Sequence, residues 1–199
     1  MEQSDRVAAL MGARYAKVRL SNWEFATGKD GDRQRVVVKA VDDMCHDLSH
    51  IVTGANVLFY GPPGTGKDRL LASLVRAADC SGCSVQFESG ANLLSKFRDL
   101  MDRQTTEGQF LNDLKKPGVL CISDPVPPGC SLTEFQVSWL YRIVDARYRQ
   151  QKPVWMTLNI AGKEDAERLL TPQLWDRLRD GAIVIPCNWP SYRKPTRVI

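Results

Sequence analysis

Three glycines, a lysine and an aspartate fall within eight consecutive residues: Gly61, Pro62, Pro63, Gly64, Thr65, Gly66, Lys67 and Asp68. They fit the spacing G-x-x-x-x-G-K. Before them runs the apolar stretch "NVLFY", and after them the amphipathic "RLLASL". Glycines at this spacing let backbone N–H groups turn toward one point. The start of the following helix adds partial positive charge there, and Lys67 adds an ammonium. This is chemistry for a polyphosphate, and the strand–loop–helix context is the one the motif requires. The bland alternative is a loop of this form that no longer binds. The next position ordinarily carries a Ser or Thr hydroxyl that helps hold Mg²⁺. This chain has Asp68.

A phosphate loop of this kind also needs an acid at the end of a neighbouring strand, to hold Mg²⁺ or orient water. "VLCISD" supplies one: Asp124 follows four apolar residues and Ser123. The competing reading of Asp124 is a turn cap beside Pro125.

These residues need a frame. "SVQFE", "GVLCIS", "PVWMTLN" and "AIVIP" join "NVLFY" as strand candidates, each short, apolar and bounded by turn residues. Helical patterns alternate with them. Val38, Val41, Cys45, Leu48 and Val52 recur at helical steps from Arg35 onward. Leu93, Leu94, Phe97 and Leu100 share one face of "ANLLSKFRDLM". Ser131 and Glu134 have capping-box spacing at the head of a long helix. "GKEDAERLL" and "PQLWDRLRD" are further helices, the second with Pro172 near its start and Gly181 past its end. "ATGKDGDRQ" (26–34) is expected to be a loop, and the tail from Asn188 to be basic and partly loose. Alternating strands and helices imply a three-layer α/β sandwich on a mostly parallel five-stranded sheet. The expected divisions are an N-terminal extension and lead-in segment (1–34), a core carrying the Gly-rich loop (35–190) and a basic C-terminal tail (191–199).

The bulk properties fit one domain. The chain has 199 residues, 43% hydrophobic and 25% charged, with a net charge of +4. That charge permits nucleic-acid contact without demanding it. No run of about 18 apolar residues is present, so no membrane span is expected. The first residues do not resemble a secretory signal, and six cysteines are then expected as reduced thiols in the cytoplasm. Cys80 and Cys83 form "CSGC", a turn more readily than half of a zinc site, which usually takes four ligands.

With these residues in view, the sequence resembles the AAA+ ATPases, and within them the DnaC/IstB group of helicase loaders and transposition helper ATPases. "GPPGTGK" with a strand-end acid carries the wider resemblance. "RYAKVRLSNWEF", "LYRIVDARYRQQKPVWMTLN" and "DRLRDGAIVIPCNWPSYR" carry the narrower one, from about Arg14 to Arg193. The resemblance implies a P-loop NTPase fold of AAA+ type, ATP and Mg²⁺ as cofactors, and assembly into a homo-oligomer on ATP binding. It implies that Lys67 is the Walker A lysine, that Asp124 orients the attacking water, that Asn159 senses the γ-phosphate, and that Arg177 reaches a neighbouring subunit's ATP. Asn159 as a strand-end cap and Arg177 as a solvated charge are the plainer readings. Arg193 matches the family's ending without a role assigned to it.

The departures are specific. Asp68 replaces the hydroxyl residue, and Ser123 stands where the first Walker B acid usually stands. Together with Asp124 these two are the candidate Mg²⁺ residues. Helicase loaders of this group also carry an N-terminal partner-binding domain. Here about a dozen residues precede the family-like segment, too few for a packed domain.

Three functions follow. One is ATP-dependent action on DNA or a DNA-bound partner, in replication (helicase loading) or transposition, with single-stranded DNA and a replicative helicase or transposase as candidate partners. Another is a nucleotide-gated binding module with little or no hydrolysis. The third is a DNA-binding protein with structural nucleotide, using Lys96, Arg98 and Arg103. Asp99 and Asp102 interleave with those cations, as they would on a plain solvated face.

Overall fold

The computed structural model describes residues 3–102, 106–126 and 130–193. Five strands form one sheet: β1 (Val57–Tyr60), β2 (Val85–Ser89), β3 (Val119–Ser123), β4 (Val154–Leu158) and β5 (Ile183–Pro186). Their order across the sheet is β2-β3-β4-β1-β5, and every pairing is parallel, so the mostly parallel sheet expected from sequence is parallel throughout. Register is tight at the centre, with Tyr60 opposite Leu158 and Ser123 opposite Thr157. The ends of β3, β4 and β1 therefore lie side by side, and their loops open at one edge.

Side chains alternate across a strand, so each strand feeds two cores. Val57, Phe59, Cys121 and Trp155 face one side. There they meet Val7 of α1 (Gln3–Met11), Val38 and Val41 of α2 (Gly28–His46), and Leu70 and Leu74 of α4 (Lys67–Cys80). Leu58, Leu120, Ile122 and Met156 face the other side. Their neighbours are Phe97 of α5 (Gly90–Met101), Phe110 of α6 (Glu107–Lys115), Ile143 of α7 (Glu134–Tyr148), Leu170 of α8 (Lys163–Leu170) and Leu174 of α9 (Pro172–Arg179). Such apolar burial on both faces of a parallel sheet is the main stabilising term.

Three local expectations need correction. Residues 28–34 are not loop but the first turns of α2. Gln34 is buried, and its side-chain Oε1 accepts the Ala26 backbone N–H at 2.8 Å, so a tertiary contact overrides weak helix propensity. The helical run expected to reach Val52 breaks after His46 and resumes as α3 (Ser49–Val52). Asp47 causes the break: its carboxylate accepts Ser49 N–H at 3.0 Å and Ser49 O–H at 3.1 Å. The capping box of α7 is Thr133 with Gln136, two residues beyond the expected pair. Of the tail expected to be partly loose, residues 188–193 are packed against the loop. Trp189 is buried, its indole donating to Thr65 O at 2.9 Å, and Tyr192 N–H donates to Gly64 O at 2.9 Å. Residues 194–199 lie outside the described residues.

α1 and α6 carried no sequence assignment. α6 had a legible start, Thr106 and Gln109 in a reciprocal capping box. Arg147 of α7 is fully buried and donates to four carbonyls, Leu114 O, Pro117 O, Gly118 O and Pro153 O, at 2.9–3.1 Å. It thereby ties together the starts of β3 and β4. All six cysteines are free, and among the described residues no three or more His, Cys, Asp or Glu gather as a metal site. No described helix is long and apolar enough to cross a membrane.

Candidate nucleotide site

In parallel α/β sheets, ligands bind beyond the carboxyl ends of the strands. A cleft of about 990 Å³ opens at that edge here, lined in part by Gly64, Gly66, Lys67, Asp68, Asp124 and Asn159. Its size suits a nucleotide.

The loop from Gly61 leaves β1 and enters α4. Gly64 and Gly66 have φ of +81° and +92°. A Cβ at Gly64 would collide with Ser191 Oγ, and one at Gly66 would lie 2.7 Å from the Trp23 ring. The loop is thus gripped from two sides. Trp23 of the lead-in segment donates its indole N–H to Tyr192 Oη at 3.0 Å, and the two rings meet edge to face at 5.8 Å. Trp23 and Tyr192 were not among the residues singled out from sequence; the tail residue Arg193, which was, also lines the cleft.

Lys67 is only 5% exposed. Its ammonium donates to Gly61 O, Pro62 O and Asn159 Oδ1, each at 2.8 Å. Burial pushes its pKa down, opposed chiefly by the Asp124 carboxylate. Asn159 follows β4, and its Oδ1 is thereby committed to Lys67.

Asp124 follows β3 with φ of +46°, a left-handed conformation that Asp tolerates better than most residues. Its N–H donates to Thr157 O at 3.0 Å. Among the described residues its Oδ1 is buried without a hydrogen-bond partner. Burial pushes its pKa up, and the Asp68 charge adds to that; Lys67 and Asn159 oppose it.

Asp68 and Ser123, distant in sequence, are in direct contact. Ser123 O–H donates to Asp68 Oδ1 at 2.9 Å. Thr157 O–H donates to the same oxygen at 2.9 Å, and Tyr15 O–H to Asp68 Oδ2 at 3.3 Å. Burial, then Asp68, raises the Tyr15 phenol to about 12. Neither Thr157 nor Tyr15 was singled out from sequence. Thr157 had a signal: a hydroxyl inside an otherwise apolar strand, two residues before Asn159.

Arg177 is not among the residues lining the cleft. It lies on α9, paired with Asp145 at 3.2 Å and stacked 4.3 Å over the Tyr148 ring, both on α7. Of the candidate DNA-contacting cations, Lys96 pairs with the buried Glu88, Arg98 donates to Ser95 Oγ at 3.0 Å, and Arg103 lies outside the described residues.

Fold and site together define a P-loop α/β protein with a cleft fit for a nucleotide. The chain matches the family of IstB-like ATP binding proteins over residues 2–198, and it belongs to that family. The replicative helicase loader DnaC of Escherichia coli K12 is 33% identical over 141 residues, 70% of this chain and 56% of the loader. An insertion-sequence protein of Geobacillus stearothermophilus named for ATP binding is 29% identical over 153 residues, 73% of this chain and 58% of that protein. The matched regions thus span just over half of these relatives' lengths. Among solved structures, a DnaC helicase loader superposes with a TM-score of 0.70 at 20% identity, covering 87% of this chain and 98% of that one. The replication initiator DnaA, bound to AMPPCP and single-stranded DNA, superposes at 0.67 and 20%, covering 85% and 49%. At such identities these two likenesses speak for the fold.

Proposed function

We propose that this chain is a cytoplasmic ATPase that binds ATP with Mg²⁺ and acts on DNA or on a DNA-bound protein. The observation carrying the reading is the meeting of Lys67, Asp124 and Asn159 in one cleft beyond β1, β3 and β4.

Each residue has a role its geometry supports. The loop N–H groups and Lys67 take the phosphate charge, Lys67 exchanging its present carbonyl partners for phosphate oxygens. Asn159 accepts from Lys67 through Oδ1, and its amide, which also hydrogen-bonds the Asp124 carboxylate, has a second N–H for a phosphate oxygen. The unpartnered Oδ1 of Asp124 accepts a hydrogen bond from the attacking water and orients it. The upward push on its pKa makes it the stronger base. A divalent ion, when bound, would shield the phosphate charge; Asp68 and Asp124 line the cleft and are the carboxylates at hand to hold it, while Ser123, the third candidate from sequence, does not line the cleft and bonds to Asp68. Arg177, held by α7 outside the cleft, completes a neighbouring subunit's site in a homo-oligomer formed on ATP binding. The relatives' names point to two settings, helicase loading and transposition. Single-stranded DNA, a replicative helicase and a transposase are the corresponding partners.

One observation favours a second reading, a nucleotide-gated binding module with little hydrolysis. A carboxylate, Asp68, stands where a hydroxyl is usual, and it acts electrostatically on Asp124. ATP turnover with and without single-stranded DNA, beside size-exclusion chromatography in ATP, separates the two. DNA-stimulated turnover supports the ATPase. ATP-driven assembly without turnover supports the module. Neither binding nor turnover overturns both.

A further inference from the structure

In P-loop enzymes the ion beside the phosphates is ordinarily held by a hydroxyl on the loop and an acid on the facing strand. Here the two residue types are reversed and touching: a carboxylate on the loop helix, Asp68, and a hydroxyl on the strand, Ser123, 2.9 Å apart. We propose that Asp68 supplies the carboxylate ligand for the divalent cation of this site, and that Ser123 and Thr157 hold that carboxylate in place. The proposal rests on the nucleotide-binding reading above.

The two oxygens of Asp68 differ in surroundings. Oδ1 accepts from Ser123 and Thr157 at 2.9 Å each. Among the described residues Oδ2 accepts only the longer bond from Tyr15, at 3.3 Å. Asp68 lines the cleft, so Oδ2 is the oxygen with capacity to spare. Thr157 is 0% exposed and Ser123 9%. Neither hydroxyl needs to reach the cleft; both fix the carboxylate's orientation, as outer hydrogen bonds do for metal-binding carboxylates elsewhere.

Charge supports the same assignment. Asp68 and Asp124 repel each other, and Lys67 is the cation between them that already serves three acceptors. Beside phosphates alone, a second carboxylate would weaken binding. A hard cation reverses that, since Mg²⁺ characteristically takes one or two carboxylates together with phosphate oxygens. The bland alternative is that Asp68 only complements the positive end of α4. That account leaves the two buried hydroxyls converging on one oxygen without a purpose.

The test uses Mn²⁺ as the probe ion, read by its electron paramagnetic resonance signal with a non-hydrolysable ATP analogue. Analogue affinity is measured separately in EDTA. Asp68→Asn keeps an acceptor oxygen for Ser123 and Thr157 and removes the charge. It is expected to weaken Mn²⁺ binding at least about tenfold, the order that one charge-assisted contact gives, with analogue affinity in EDTA unchanged or improved. Asp68→Thr and Ser123→Asp should each bind Mn²⁺ more weakly than the double variant, because one has no carboxylate at this pair and the other has two facing. Circular dichroism confirms that each variant is folded. Undiminished Mn²⁺ affinity in Asp68→Asn, or tighter binding in Asp68→Thr, overturns the proposal while leaving nucleotide binding standing. A wild-type chain that binds no analogue in either condition overturns the nucleotide reading and the proposal with it.

Discussion

The Lys67 ammonium donates to Asn159 Oδ1 at 2.8 Å, joining the loop after β1 to the residue after β4. The cation that would meet a phosphate is thus already positioned by the residue that would sense it. Lys67→Ala is expected to weaken ATP binding more than tenfold, since a charge-assisted contact is worth about 1.5–3 kcal/mol. Titration of a fluorescent ATP analogue measures this. Unchanged affinity would show that the loop is not the site.

Asp124 yields a prediction about stability. Burial and Asp68 raise its folded-state pKa above the unfolded value. Its charged form therefore costs stability at pH above the folded pKa, and that cost disappears as pH falls below the unfolded value. Asp124→Asn keeps the shape and tolerates the positive φ. It should raise Tm at pH 7 and lose that advantage under acidic conditions where wild-type Asp124 is protonated, while turnover falls. A pH series of thermal melts checks the sign. A stabilisation that persists undiminished in acid would contradict the linkage.

How far the sequence could foretell this site depends on which contacts are local. The five strands, the loop and the acid after β3 follow from apolar runs and turn residues, which are local signals. Asp68 beside Ser123 is a contact across 55 residues, and Tyr192 beside Trp23 one across 169. No periodicity encodes either. Tyr15 was invisible for the same reason, because its partner Asp68 lies in another segment. The helical start of α2 was missed because Gly28 and Gly31 weigh against a helix in any propensity scale. There the space around Gly31 decides: a Cβ would collide with Ala26 O, so glycine is needed for the turn to pack. The docking of Trp189 on Thr65 likewise exists only once the C-terminal segment has folded back onto the loop, 124 residues away.

Arg147 offers a sharper test of the frame. It gives charge-assisted hydrogen bonds to four carbonyls in a fully buried position, and desolvation lowers its pKa to about 10. Arg147→Met fills similar volume and strands those carbonyls. The expected loss is at least ~3 kcal/mol, given about 1.5–3 kcal/mol for each such bond and incomplete additivity. Two positions on, Arg149 is mostly exposed and pairs with Asp145 at 2.8 Å. Arg149→Met should cost less than about 1 kcal/mol. Urea unfolding of both variants compares them directly. Equal effects would mean that the four carbonyls find other partners.

Arg177 is the residue whose role depends most on assembly. Within one chain it is held by Asp145 and the Tyr148 ring and is about a third exposed, so it can be presented to a neighbour without first being unburied. If it completes the neighbour's site, it acts on transition-state charge and leaves ground-state affinity nearly unchanged. Arg177→Ala should then bind the ATP analogue within about twofold of wild type, while turnover falls by about 10³-fold or more, the lower end for arginines acting in this way. Mixing discriminates this from a structural defect. Lys67→Ala subunits hold ATP poorly but still carry Arg177; Arg177→Ala subunits hold ATP but lack the finger. Each is inactive alone, and an oligomer containing both regains turnover wherever a Lys67→Ala subunit faces a loaded site. An unchanged Tm of Arg177→Ala argues against loss of the α7–α9 packing as the cause. Full activity of Arg177→Ala alone, or a mixture as inactive as its parts, would remove Arg177 from the catalytic assignment.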